Sequence, residues 1–178
     1  MKNTEKAIQE KFLKLLEKVK IDEVDVNMIC NSLKIKRQTF YYHYKNIYDV
    51  IFSIFYEKKL DASNTASFIQ IIKDLLEFLY EDHDFHLEIL QSNANDIIND
   101  FCFSYLYKSL NEYLTKYKLT LDQKKEEARF FAKAIDEQIL FYFANPNYSK
   151  EDNLFKVLIF VNEEIIVKTT RNFIVSAK

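Results

Sequence analysis

The chain contains no glycine, no tryptophan and a single proline, Pro146, among its 178 residues. Without glycine the backbone has poor access to left-handed turns and to the tight turns of β-hairpins, so a β-rich fold is disfavoured and an all-helical one favoured. The same absence removes the glycine-rich loops of P-loop and dinucleotide-binding folds. The two cysteines, Cys30 and Cys102, lack metal-ligand or redox spacing and read as small core residues of a reducing cytosol. With three histidines and no arrangement of Ser, His and acid that stands out, neither an enzyme nor a cofactor is expected. No apolar run approaches the roughly 20 residues of a membrane span. The N-terminus interleaves Lys and Glu in place of a signal-peptide core, so a soluble, cytoplasmic protein without membrane contact is expected.

What the chain does have is apolar bulk and Lys. Hydrophobic residues make up 48%, with 12 tyrosines and 16 phenylalanines, which argues for a packed globule and against disorder. Lys outnumbers Arg 22 to 3, and Asn, Ile, Phe and Tyr abound, a composition that an AT-rich genome also produces. The formal net charge of −2 hides an asymmetry. Residues 1–60 carry 12 Lys and Arg against 8 Asp and Glu, whereas residues 61–178 carry 13 against 19. A basic N-terminal unit on an acidic body suits a polyanion-binding head.

Helical periodicity runs through the chain. Ala7, Ile8, Phe12, Leu15, Leu16 and Val19 give one apolar face to a first helix beginning after Asn3 or Thr4. Two short pieces follow, Val26 to Leu33 and Arg37 to Tyr44, and then a helix capped by Asn46 that runs to about Leu60. The small polar stretch Asp61 to Thr65 marks the expected boundary between a head, residues 1–60, and a body, residues 61–178. Helices are expected over about Ala66–Tyr80, Phe85–Gln91, Asp96–Tyr117, Leu121–Phe143 and Glu151–Phe173. Thr120 with Gln123 has the form of a capping box, Ser149 with Asp152 that of a second cap, and Asn145-Pro146-Asn147 stops the helix between them. The expected fold is all-α with about nine helices: a three-helix head with a helix-turn-helix, and a helical body.

The stretch between Asp25 and Asp49 contains no carboxylate and four cations, Lys34, Lys36, Arg37 and Lys45. Two short helices joined by a tight turn, the second basic and rich in hydrogen-bonding side chains, describe a helix-turn-helix that reads DNA. A recognition helix lies in a groove about 12 Å wide with its N-terminal half near base edges. Lys36, Arg37 and Gln38 come first on that geometry. Arg can fork onto guanine and Gln onto adenine, and either can equally bind phosphate. Phe40 and Tyr44 are expected to face the core.

The wording of this stretch resembles the TetR family of bacterial transcriptional regulators. The likeness runs through Val26, Asn27, Ile29 and Cys30, then Leu33 to Lys45, then Ile47 to Val50. Its most specific part is Thr39-Phe40-Tyr41-Tyr42-His43-Tyr44-Lys45, and it covers roughly the first 60 residues. The departures are Lys34, where the family often has Gly in the turn, and Lys36, where Ser or Thr often opens the recognition helix. A non-glycine residue at positive φ costs about 1 kcal/mol, so a slightly remodelled turn is expected. The resemblance implies that Thr39, Tyr41, Tyr42 and His43 contact bases or backbone. It also implies that Lys45 grips a phosphate beside the N-terminus of the following helix, itself an anion site.

The last two helices are over-supplied with apolar residues. Leu154 to Val161 is nearly continuous except for Lys156, and Phe130, Phe131, Ile135, Ile139, Leu140, Phe141 and Phe143 crowd the helix before it. One stripe would suffice for a monomer, so burial by a second copy is expected, with Phe141, Phe155, Leu158, Ile159, Phe160 and Ile166 at the interface. In the resembling family these helices form a four-helix dimer interface, and an effector sits in the body. Phe68, Phe78, Phe85, Phe101, Phe103, Tyr105, Phe130 and Phe131 are the aromatic candidates for lining such a pocket, which would suit an apolar or aromatic small molecule; each can equally fill core. Asp82-His83-Asp84-x-His86 holds metal-ligand residue types, but a metal site needs ligands on a defined face with support behind them. The stretch reads as a solvated linker, and no metal is expected. The implied function is a homodimeric, ligand-responsive regulator, in the first place a repressor, on a pseudo-palindromic double-stranded DNA operator. The alternative is a co-activator or protein-binding module of the same fold.

Overall fold

The computed structural model describes residues 2–57, 60 and 67–161. Among them the chain is all-helical, with nine α-helices and no strand. The helices are α1 (Lys2–Leu16), α2 (Val26–Leu33), α3 (Arg37–His43), α4 (Ile47–Glu57), α5 (Phe68–Glu81), α6 (His83–Gln91), α7 (Asn95–Tyr113), α8 (Leu121–Phe143) and α9 (Lys150–Phe160). Two 3-10 turns punctuate them, η1 (Ile21–Glu23) and η2 (Leu114–Lys116). No described helix is long and apolar enough to cross a membrane. The stretch Asp61 to Thr65, Ile166 and the part of the expected last helix from Asn162 to Phe173 lie outside the described residues.

The chain divides into two compact units, Met1–Lys59 with Glu88–Ile97, and Leu60–Leu87 with Ile98–Lys178. In the first, α1 packs on α2 and α4, and α2 on α3. Ile8 and Phe12 of α1, Ile29 of α2, Phe40 of α3 and Val50 and Ile51 of α4 are fully buried. Burial pushes the Cys30 thiol up, so Cys30 packs as a small neutral residue. Asp25 caps α2 by accepting from the Met28 amide at 2.8 Å. Asn46 caps α4 by accepting from Asp49 N–H at 2.9 Å, and the Asp49 carboxylate accepts from Lys45 N–H at 2.9 Å. The segment Glu88–Ile97 is tied in through η1. The Ile21 amide donates to Glu88 at 2.7 Å and the Asn93 amide to Asp22 at 3.1 Å. The division therefore cuts through α6 and α7, and the polar stretch after Leu60 is not its only crossing.

The second unit is built on α5, whose face of Phe68, Ile71, Ile72, Leu75, Leu76 and Leu79 is almost wholly buried. Ser67 caps it by accepting from Gln70 N–H. Both expected caps further on are present, the reciprocal box of Thr120 and Gln123 on α8 and that of Ser149 and Asp152 on α9. The α5–α6 break is narrower than the four residues Glu81 to Asp84 expected from composition. Only Asp82 leaves helical geometry (φ −122°, ψ 56°), and α6 resumes at His83. His86 is consequently no linker residue. It is 1% exposed, its Nδ1 is 3.0 Å from the Leu79 carbonyl and its ring stacks on Phe78. The expected helix to Tyr117 instead ends at Tyr113 and tightens into η2.

Asp136, on the inward side of α8, is 1% exposed. One oxygen accepts from Lys133 Nζ at 3.1 Å, and the other has no hydrogen-bond partner among the described residues. Burial drives its carboxyl up to about 6, against the opposing pull of Lys133. Burial and the Asp136 carboxylate together hold the Cys102 thiol well above its ordinary range. A carboxyl that titrates higher folded than unfolded stabilises the fold fully below its unfolded value, and that contribution is lost as pH rises through 6. Asp136→Asn is expected to stabilise the protein at pH 7.5 by up to about 3 kcal/mol. The gain should shrink toward zero near pH 4. Thermal melts of both proteins across this range check it; a pH-independent difference contradicts it.

Candidate nucleic-acid interface

The geometry of α3 follows from two inward residues. Phe40 is 0% and Tyr44 7% exposed. Their rings lie 6.0 Å apart, and the Tyr44 hydroxyl is 3.4 Å from Ser53 of α4. Gln9 of α1 donates to the same Ser53 and to Glu57. The back of α3 is thereby fixed against α1, α2 and α4.

The opposite side is open. Lys36, Arg37, Gln38, Tyr41, Tyr42 and Lys45 are all exposed, Tyr42 by 70%. Arg37 Nη2 donates to the Tyr41 hydroxyl at 3.1 Å, one helical turn away, which holds the guanidinium extended along the helix. Tyr41 in turn meets Phe40 edge-on at 5.6 Å. The guanidinium therefore has a line of support running back to the core. No carboxylate occurs from Val26 to Tyr48, and the flanking Asp25 and Asp49 are engaged as caps. This is a cationic, donor-rich surface about two helical turns long.

Two predicted contact residues sit differently. Thr39 is half-buried. The His43 side chain is 5% exposed and its Nδ1 lies 3.1 Å from Glu5 of α1. His43 is thus turned onto α1, where it anchors the end of α3, while its edge-on neighbour Tyr42 is exposed. The turn is not remodelled either. Lys34 adopts φ 55° and ψ 39°, the left-handed geometry that glycine ordinarily supplies, and ends α2 there. Sequence reasoning counted Lys34 among the four cations of this stretch but did not place it among the contact residues; its exposed side chain two residues before Lys36 puts it on the same stretch.

In the second unit the expected aromatic set separates. Phe68, Phe78, Phe101, Tyr105 and Phe131 are buried, with Phe78 stacked between Phe101 and His86. Phe85 and Phe103 are half-buried, the latter stacked on Tyr107. Phe130 is 66% exposed, because successive residues on a helix diverge by about 100° and Phe131 takes the inward direction; with Glu126, Arg129, Lys133, Ala134 and Glu137 it lines an open hollow of about 600 Å³ on α8, apart from the buried aromatics. The hollow of about 480 Å³ beside α5 and α9 is lined by Lys73, Asp74, Glu77, Lys150 and Glu151 with Gln70, Leu76 and Leu154, and by none of the eight expected aromatics. His83 and His86 occupy separate surroundings, the first against Tyr80 and Phe143, the second against Phe78.

A second outward surface lies on α8 and α9. Phe130 and Phe141, about three turns apart on α8, are 66% and 61% exposed. Phe155, Ile159 and Phe160 on α9 are 63%, 63% and 50% exposed, while Leu158 is half-buried. Val157 and Asn153 face inward on the same helix. Comparison with known proteins finds no protein-family model that matches the chain and no matching curated protein.

The two faces of α3 differ in what their loss should do. Phe40→Ala is expected to cost 3–5 kcal/mol and to abolish cooperative folding of the head, whereas Tyr42→Ala should change stability by less than about 0.5 kcal/mol. Circular dichroism melts measure both. Equal destabilisation would mean that Tyr42 is also packed.

Proposed function

We propose that this chain is a homodimeric, sequence-specific DNA-binding transcriptional regulator of the TetR kind, acting in the cytoplasm as a repressor that leaves its operator when an effector occupies the helical body. The observation that carries the reading is the outward face of α3. Arg37, braced by Tyr41, stands with Lys36, Gln38, Tyr42 and Lys45 on a surface bare of carboxylates, behind which Phe40 and Tyr44 lock the helix. A helix so held can enter a major groove without rearrangement, with Arg37 and Gln38 at base edges and the lysines at phosphates. His43 supports this face from behind, by bracing α3 on α1.

Two such heads are needed to span successive major grooves of a pseudo-palindromic operator. The exposed apolar side chains of α8 and α9 support pairing, since a two-fold contact would cover Phe141, Phe155, Ile159 and Phe160 at once. In repression terms, the effector must favour the conformation whose heads cannot reach both half-sites.

Sequencing of fragments bound from the source genome tests the proposal. An inverted repeat should be enriched, and its affinity should fall by orders of magnitude between about 50 and 200 mM salt. No enriched sequence at any salt would overturn operator recognition in favour of a protein-docking role. On the recovered site, Arg37→Ala should cost roughly 1–3 kcal/mol of specific binding. Equal loss on every sequence would instead assign Arg37 to phosphate. Phe160→Asp, at a half-exposed position, should leave each chain folded and halve the mass seen by light scattering; an unchanged dimer mass contradicts the assigned interface.

A further inference from the structure

Lys34 is the only residue at positive φ among the described residues, in a chain that has no glycine at all. Its conformation is required by the turn. Lys34 N–H donates to the Asn31 carbonyl at 3.3 Å and Ile35 N–H to the Cys30 carbonyl at 3.0 Å, which together close the end of α2. For an L-residue with a long side chain this geometry is strained, and Asn is the usual substitute when glycine is not used. Asparagine is not scarce here, with fourteen in the sequence, and one of them, Asn31, lies in the last turn of α2. The position carries a lysine nonetheless. Its side chain is exposed, and among the described residues it forms no ion pair.

Strain kept where a cheaper residue would serve is characteristic of functional positions. In a two-helix DNA reader the first helix crosses the phosphate backbone and the second enters the groove. The residue joining them passes beside a phosphate strand. We propose that Lys34 is a DNA-phosphate contact, held in left-handed geometry at the mouth of α3 because its ammonium group is needed there. It extends the cationic surface of Lys36, Arg37 and Lys45 onto the turn, and it sets register and affinity on the duplex without reading a base. This inference rests on the proposed DNA-binding function.

The test uses the full-length chain and a short mixed-sequence DNA duplex, with Lys34→Gly, Lys34→Asn and Lys34→Arg. Lys34→Gly should melt about 2–4 °C higher without DNA. Its plot of log affinity against log salt should lose about 0.9 of a unit of slope, one phosphate's worth. Lys34→Asn should lose the same slope with a smaller gain in melting temperature, and Lys34→Arg should keep the slope. If the wild type binds with a salt-dependent slope that Lys34→Gly and Lys34→Asn leave unchanged, Lys34 makes no phosphate contact and composition alone placed it there. If the slope falls but no variant melts higher, the part of the inference concerning strain is overturned. If the wild type binds no duplex at any salt, the DNA-binding function falls, and this inference with it.

Discussion

The burial of Phe40 is the contact on which the rest of the head depends. A seven-residue helix such as α3 has too few internal hydrogen bonds to persist alone in water. It exists because one aromatic ring is driven into the space shared by α1, α2 and α4, with Tyr44 completing the seal at its C-terminal end. Once that side is fixed, helical geometry decides which residues face outward. Arg37, Gln38, Tyr41 and Tyr42 are presented because Phe40 is not. The polar ties from Gln9 to Ser53 and from His43 to Glu5 add direction to a placement that apolar burial has already made favourable.

Much of this was legible in the sequence, for physical reasons that differ from element to element. The bounds of α2 and α8 follow from periodicity and capping chemistry that act over three or four residues, and both coincide with the expectation. The inward direction of Phe40 and Tyr44 follows from their spacing. Local signals failed where composition and geometry part. Glu81 to Asp84 looks like a loop because it is polar, yet one non-helical residue, Asp82, is enough to turn the chain, and His86 ends in the core. Phe130 and Phe131 are equally apolar, and only the helix can determine which one faces inward. His43 is polar at a position where the resemblance implies DNA contact, and it is captured by a carboxylate on α1 that no short motif marks.

Interactions between residues far apart in sequence were not legible at all. The hydrogen bonds from Ile21 to Glu88 and from Asn93 to Asp22 bring Glu88–Ile97 into the first unit. Single polar side chains of this kind leave no periodic trace. Asp136 is similar. One acid among the five on α8, it reads as surface from the sequence, and only burial shows it to be a charge held in the core at a cost to stability.

The two exposed surfaces, one basic on α3 and one apolar on α8 and α9, support the proposed function, in which the first reads DNA and the second pairs with a second copy. Its central claim concerns α3 and is tested most directly by titrating the isotope-labelled protein with duplex DNA and following backbone amide resonances. The account predicts that the largest shifts fall within Lys34–Lys45 and at the first turn of α4, with the interior of the second unit little changed. Large shifts confined to the second unit, or none anywhere at low salt, would contradict it.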